Sequence, residues 1–324
     1  MTARPTVVVT RRLPAPVEAQ LGDLFDARLS RDDRPLDAAA LAEAVRTADG
    51  LLCTVTDRVT KDVLSTEPRR MRMIANFGVG FNHIDIAAAR ANDIVVTNTP
   101  DVLTDDTADL AITLLLMVAR RTGEGERHVR DGAWMGWAPT HMLGTRVTGK
   151  TLGLIGMGRI GRAVAQRARQ GFGMRVLFYD PAPVRENEVQ ALGIERRDSV
   201  EAVLRESDFV SVHCPATPET RHLVNAERLG QMKREAFLIN TSRGDVVDEA
   251  ALVEALCAHT IAGAGLDVFE REPSVTPALL GMDNVVLLPH LGSATMETRV
   301  AMGERAIENL VAFFRGETPR DRVT

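Results

Sequence analysis

Along most of the chain, short β-branched runs bounded by turn residues alternate with longer stretches whose apolar residues recur at helical spacing. That alternation is the pattern of helices packed on a parallel sheet, so the predicted fold class is α/β. In the first hundred residues, strands are predicted at Thr6–Thr10, Gly50–Val55, Met71–Phe77 and Ile94–Asn98, with helical patterns between them such as Leu36–Ala48. Together they make one complete small α/β unit. A helical pattern then runs from Asp105 to about Arg130, followed by an irregular stretch, Asp131 to Lys150, that holds both tryptophans, Trp134 and Trp137. This stretch reads as a bridge and a protruding loop.

From Thr151 the alternation restarts, with strands predicted at Thr151–Ile155, Arg175–Tyr179, Phe209–Cys214, Phe237–Thr241, Ile261–Val268 and Val285–Leu288. Six strands suit a dinucleotide-binding sheet. The last helical pattern, Met296–Phe314, lies beyond that sheet and is placed to cross back over the first lobe. Hinges are expected near Asp101–Thr104 and Gly292–Ala294.

Length and composition sharpen this picture. At 324 residues the chain exceeds the usual ceiling for one hydrophobic core, so two domains are expected. With 45% hydrophobic and 26% charged residues and no low-complexity tract, disorder is expected only at the ends. A net charge of -5 argues against a nucleic-acid or anionic-membrane partner, so an anionic substrate must be held by local groups. The longest apolar run, Leu110 to Ala119, is too short for a bilayer span, and the N-terminus enters a strand-like PTVVVT rather than a signal sequence. A cytoplasmic protein is expected. Cys53, Cys214 and Cys257 are odd in number and widely spaced with no CxxC, so neither a disulfide framework nor a zinc site is indicated and they read as three buried thiols.

The segment LGLIGMGRIGRAVAQRA places Gly156, Gly158 and Gly161 after an apolar strand and at the opening of a helix. The first glycine permits a tight turn, the second lets backbone approach a pyrophosphate, and the third allows close helix–strand packing. The helix N-terminus adds amide donors for the phosphates. The next strand, RVLFYD, ends in Asp180, nineteen residues past Gly161, where an acid binds ribose hydroxyls. That carboxylate should repel the extra phosphate of NADP, so NAD is the expected cofactor, with NADP possible because Arg159 and Arg185 lie close in sequence.

Chemistry gathers at the carboxyl ends of strands in such sheets. Three titratable side chains stand there on the last three strands: Arg243 after AFLINTS, Glu272 past GAGLDVF and His290 at the end of NVVLLPH. Carbonyl reduction by hydride needs a proton donor, a role for His290, and a carboxylate beside it, Glu272, would favour the imidazolium. A guanidinium offers a fork of donors matched to a carboxylate and a neighbouring carbonyl, so Arg243 is the candidate clamp for a 2-keto acid. His213 is the weaker histidine because it falls inside a predicted strand region. Between Asn76 and Phe81, two closely spaced glycines end another strand, where consecutive amides form either an anion nest for a substrate carboxylate or an ordinary turn.

Taken together, NFGVGFNHID, GMGRIG, HCPATPET, INTSRGDVVDE, AGLDVFEREP and LPHLGSAT occur in an order and spacing that resemble the D-isomer-specific 2-hydroxyacid dehydrogenases, most closely their glyoxylate and hydroxypyruvate reductase branch. The resemblance covers nearly the whole chain. It implies a Rossmann-type NAD-binding domain over 102–292 and a smaller flavodoxin-like substrate domain over 1–101 plus 293–324. It implies Arg243 as the substrate-binding catalytic arginine, Glu272 as the partner carboxylate and His290 as the acid/base. Substrate contacts are implied from the backbone at Val79 and Gly80 and from the loop around Leu52. Cofactor contacts are implied from Thr107, Arg159, Ile160, Asp180, Pro215, Thr220, Thr241, Asp267 and Gly292, with Asp267 on the nicotinamide carboxamide.

The resemblance also implies a homodimer joined through the bridge helix and its loop, residues 120–148, where Trp134 and Trp137 either pack the interface or reach the neighbouring pocket. Phe81, Asn82 and His83 depart from the commoner tyrosine–aspartate–asparagine pattern of the substrate loop. No regulatory domain is expected after the last helix, so phosphoglycerate dehydrogenases that carry one are expected to be a poorer match. Phosphite dehydrogenases place a lysine where this chain reads Gly78 or Val79. The rival readings are the same chemistry on another acid, such as D-3-phosphoglycerate or a larger 2-keto acid, and an NAD-sensing corepressor-like platform.

Overall fold

A computed structural model describes residues 4–324, which divide into two compact units: 4–103 with 293–324, and Thr104–Gly292. The first unit carries a five-stranded parallel sheet of β1 (Thr6–Val9), β2 (Asp26–Arg28), β3 (Gly50–Cys53), β4 (Met73–Asn76) and β5 (Val95–Thr97) in the order β2-β1-β3-β4-β5. This is the flavodoxin-like order, with its reversal between β1 and β3. Strands β3 and β4 are buried throughout, as strands with both faces covered must be. Helix Met296–Phe314, capped by Thr295, packs back onto β4 and onto helix Ala15–Leu24.

The sequence pattern predicted four strands here; the fifth, β2, escaped because Asp-Ala-Arg has no apolar run and lies exposed at the sheet edge. Its backbone pairs with β1 through Thr6 opposite Asp26. The predicted strands Gly50–Val55 and Met71–Phe77 are also shorter in the structure, since the chain turns away from the sheet just past Cys53 and Asn76.

The second unit carries a seven-stranded parallel sheet of β6 (Thr151–Ile155), β7 (Arg175–Tyr179), β8 (Glu195–Arg196), β9 (Phe209–Val212), β10 (Phe237–Asn240), β11 (Gly263–Leu266) and β12 (Val285–Leu287) in the order β12-β11-β10-β9-β6-β7-β8. Counted from β6, this is the Rossmann order 3-2-1-4-5-6 with one more strand at the far edge, and the order reverses between β6 and β9. Six strands were predicted; the seventh, β8, is a two-residue exposed edge that pairs with β7.

The long helix predicted from Asp105 to Arg130 is two helices, Thr104–Ala119 and Thr122–Arg130, because Arg121 adopts a left-handed conformation at φ 54. A distant segment causes the break: the Thr145 amide takes the Ala119 carbonyl at 2.7 Å in place of a helical donor. The cysteine reading also needs correction. Cys53 is buried, but Cys214 is only partly covered and Cys257 is exposed. Cys257 follows Leu256, which faces the core, and the 100° step of the helix carries the next side chain outward.

Candidate active site

Within the second unit, register brings the three chemical residues to one edge. Asn240 of β10 pairs with Leu266 of β11, and Leu266 with Leu287 of β12, so these strands end level. Arg243, Glu272 and His290 follow those three ends. The Nδ1 of His290 lies 2.9 Å from Oε2 of Glu272. With Nδ1–H donating to the carboxylate, Nε2 is the ring atom left to serve a substrate.

His290 has φ 58, a left-handed backbone that histidine adopts more readily than most side chains. A single buried carboxylate holds this turn. The His290 amide donates to the Asp267 carbonyl at 2.9 Å, the Leu291 amide to Asp267 Oδ1 at 2.6 Å and the Gly292 amide to Oδ2 at 2.8 Å. Thr107 completes the corner by donating its hydroxyl to the Gly292 carbonyl at 2.9 Å. Burial raises the Asp267 carboxyl above its ordinary value, and the two amides and nearby His290 counter this only in part.

Glu272 behaves in the opposite way. Partial desolvation raises its carboxyl, but the bond from His290, its positive charge, the Phe269 amide and the Arg243 guanidinium outweigh that and hold it below the usual range. The couple is therefore an ionised carboxylate against an imidazole. Arg243 is pushed down by burial and supported by Glu272 and Asp245, and a guanidinium so placed stays charged. One of its nitrogens donates to the Ser242 carbonyl at 2.7 Å, and Asn240 donates to the Arg243 carbonyl at 2.9 Å, which fixes the turn.

His213 lies one residue past β9 rather than inside it, with its ring 2.9 Å from the Ser211 hydroxyl. Burial pushes its imidazole down to about 4, so at neutral pH it is the neutral ring and lacks the imidazolium proton.

At the other side of the reversal point, Gly156 has φ 100, and a Cβ on Gly161 would stand 2.3 Å from the Gly156 carbonyl oxygen. Glycine is obligatory at both. Gly158 is different: a Cβ there would meet open space, and no side chain caps the helix Arg159–Phe172 that it begins. The Thr241 hydroxyl, at the end of β10, is buried with no partner in the protein. An open glycine cradle at an uncapped helix start and an orphaned buried hydroxyl both fit a bound dinucleotide. Asp180 is the first residue past β7 rather than its last, and both its oxygens are engaged, accepting the Met157 amide at 2.7 Å and the Ala182 amide at 2.8 Å. It therefore shapes the glycine turn. Arg159 is exposed at the helix start, and Ile160 is half-buried beside it. Thr220 donates to the Pro215 carbonyl at 2.7 Å, closing the turn after β9.

The remaining candidates belong to the first unit. Leu52 lies inside β3 rather than in a loop, its side chain fully buried and its carbonyl accepting the Thr10 amide. The 77–81 turn has a side-chain clamp that pattern reading missed. Asn76 donates to the carbonyls of Gly78 and Gly80, both at 3.0 Å, and Asn98 to that of Val79 at 2.9 Å. Because each trans peptide points its N–H opposite its C=O, the amides of Val79, Gly80 and Phe81 face away from the asparagines.

A sheet with an open glycine turn at one side of its reversal point and a carboxylate–imidazole couple at the other has the parts of an NAD(P)-dependent oxidoreductase. Residues 112–292 match the NAD binding domain of the D-isomer specific 2-hydroxyacid dehydrogenases. A glyoxylate reductase of Korarchaeum cryptofilum is 48% identical over 323 residues, 99% of this chain and 96% of that one. The solved structure of an NADPH-dependent glyoxylate/hydroxypyruvate reductase from Sinorhizobium meliloti, in complex with NADP and malonate, has a TM-score of 0.88 at 38% identity, covering 99% of this chain and 97% of that one. A Thermus thermophilus protein structure has a TM-score of 0.90 at 45% identity, covering 98% and 100%. The chain belongs to the D-isomer specific 2-hydroxyacid dehydrogenase family.

Proposed function

We propose that the protein reduces a small 2-keto acid, glyoxylate or hydroxypyruvate, to the D-2-hydroxy acid, with His290, Glu272 and Arg243 as its catalytic residues. The observation that carries this reading is the 2.9 Å contact between His290 and Glu272, within the field of Arg243. When bound, the nicotinamide supplies the hydride for the carbonyl carbon. His290 Nε2 gives its proton to the carbonyl oxygen as negative charge develops there, and Glu272 holds the ring by accepting from Nδ1. Arg243 binds the substrate carboxylate and polarises the ketone.

The dinucleotide is assigned to the glycine turn, with Arg159 and Ile160 at the phosphates, Asp180 at the ribose, and Thr107, Pro215, Thr220, Thr241 and Gly292 along its length. Asp267 is assigned to the carboxamide, its oxygens keeping lone pairs beyond the amides they accept. The outward amides of Val79 and Gly80 are assigned to the substrate carboxylate, together with the chain just past Leu52. A reducing, cytoplasmic setting belongs to the same reading, supported by the three free thiols.

The test is oxidation of NADH and NADPH, in parallel, across glyoxylate, hydroxypyruvate, larger 2-keto acids and the keto acid of D-3-phosphoglycerate. The smallest acids are expected to turn over fastest. No oxidation with any acid, alongside intact NADH binding, would favour the corepressor-like platform instead. Asp180→Ala is expected to shift the kcat/KM ratio towards NADPH by about tenfold, the worth of one hydrogen bond to a charged group. An unmoved ratio would remove Asp180 from cofactor choice.

The reading includes a homodimer joined through residues 120–148. In that segment Met135 is 96% exposed and Trp137 84%, with Trp134 and Leu143 also in solvent, an apolar display that a second copy would cover. Sedimentation is expected to give a dimer, and Trp134→Ser with Trp137→Ser to weaken it. A parent that sediments as a monomer would rule the dimer out.

A further inference from the structure

We infer that Glu249 is a positioning residue that sets the Arg243-bearing turn and the Glu272-bearing loop in register, and so governs how Glu272 meets His290. This inference rests on the catalytic reading above.

Glu249 is the first residue of helix Glu249–Cys257 and is 7% exposed. A carboxylate that deeply covered is rare without strong partners. It does not cap its own helix, because the Asp248 side chain already accepts the Ala251 amide. Instead it reaches across to the neighbouring loop. Its Oε2 accepts the Glu270 amide at 3.0 Å, while its Oε1 accepts the Thr276 amide at 3.2 Å and the Thr276 hydroxyl in a very short bond. Those donors flank Glu272 on both sides. Three charge-assisted bonds compensate the burial, and the helix N-terminus favours the same charge.

The two segments also touch at their other ends. Gly244, next to Arg243, packs so closely on the Phe269 backbone that a Cβ would stand 1.9 Å from its carbonyl carbon. His222 adds a lateral tie, with Nε2 3.1 Å from Glu270 Oε1 and Nδ1 3.9 Å from Asp248 Oδ2. Arg243 and Glu272 therefore sit on two strips of chain bolted together at Gly244 and at Glu249. Of the two, only the Glu249 bolt is made by a side chain.

The experiment compares the parent, Glu249→Gln, Glu272→Gln and the double variant, reading kcat, keto-acid KM, NADH Kd and the pH dependence of kcat/KM. The glutamine keeps the shape of Glu249 but turns an NH2 group towards donors, so the bolt loosens. Glu249→Gln is expected to lower kcat about tenfold or more, since a displacement of about 1 Å in a site costs about a hundredfold. NADH Kd should stay at the parental value, and the pH profile should move in the direction that Glu272→Gln moves it. The double variant should lose little beyond Glu272→Gln alone, because one residue acts through the other. Full additivity, or parental kcat and profile in Glu249→Gln while Glu272→Gln is impaired, would overturn the inference. Parental behaviour of Glu272→Gln would instead refute the catalytic reading. Should Glu249→Gln fail to fold, Thr276→Val, which removes only the hydroxyl donor, takes its place with the same coupling to Glu272 as the deciding result.

Discussion

Replacing His290 with alanine is expected to lower kcat for the keto acid by about a hundredfold or more, the usual worth of a positioned proton donor. NADH binding should survive, because the glycine turn and Asp180 lie across the sheet at the ends of β6 and β7. Alanine alone leaves an ambiguity. Position 290 is left-handed, and alanine there carries a backbone penalty of about 1–2 kcal/mol that has nothing to do with proton transfer. His290→Asn separates the two effects, since asparagine tolerates that conformation yet has no titrating ring. Both variants should be slow, and the asparagine variant should melt nearer the parent. Turnover by His290→Asn within a few-fold of the parent would remove His290 from the chemistry, whatever the alanine variant did. His213 offers no substitute, its imidazole being held unprotonated by burial.

Gly244→Ala is the second large effect. The added methyl would stand 1.9 Å from the Phe269 carbonyl carbon, 2.1 Å from its oxygen and 2.3 Å from the Glu270 nitrogen. All three are backbone atoms, which cannot rotate aside as the tip of a side chain can. Relief requires the Arg243 turn and the Phe269–Glu272 segment to part, which strains the hydrogen bond that the Phe269 amide donates to Glu272 Oε1. Overpacking of this kind costs about 3 kcal/mol or more. For a unit of this size that corresponds to a fall in Tm of about 6–12 °C. In the fraction that folds, kcat should fall more than NADH affinity, because Arg243 and Glu272 are the groups displaced. A variant with parental Tm and parental kcat would show that the contact yields without consequence.

Much of this molecule was legible in its residues. The strands Thr151–Ile155 and Arg175–Tyr179 and the helix Met296–Phe314 stand where the periodicity placed them, since each carries enough apolar residues at one spacing to declare its own geometry. The glycine turn was equally readable: Gly156 and Gly161, at that spacing after a strand, answer to local sterics. His290, Glu272 and Arg243 could be nominated together because each follows a recognisable strand, and strand ends of one parallel sheet lie together. The carboxylate–imidazole contact at 2.9 Å is the geometric form of that expectation.

What the chain alone withheld was everything decided by a distant partner. Strands β2 and β8 have no apolar signal and exist because β1 and β7 offer them an unpaired edge. The helix break at Arg121 answers to Thr145, which arrives from the far side of a loop to claim a carbonyl. Glu249 reads as an ordinary helix-start acid until the fold lays residues 270 and 276 against it, and Asn76 as a polar strand end until its amide gathers the carbonyls of the next turn. Local steric and apolar patterns are written in neighbouring residues, so one sequence carries them. Hydrogen bonds between segments remote in the chain are selected by which groups burial brings together and forbids to remain unpaired, and only the folded backbone makes that choice.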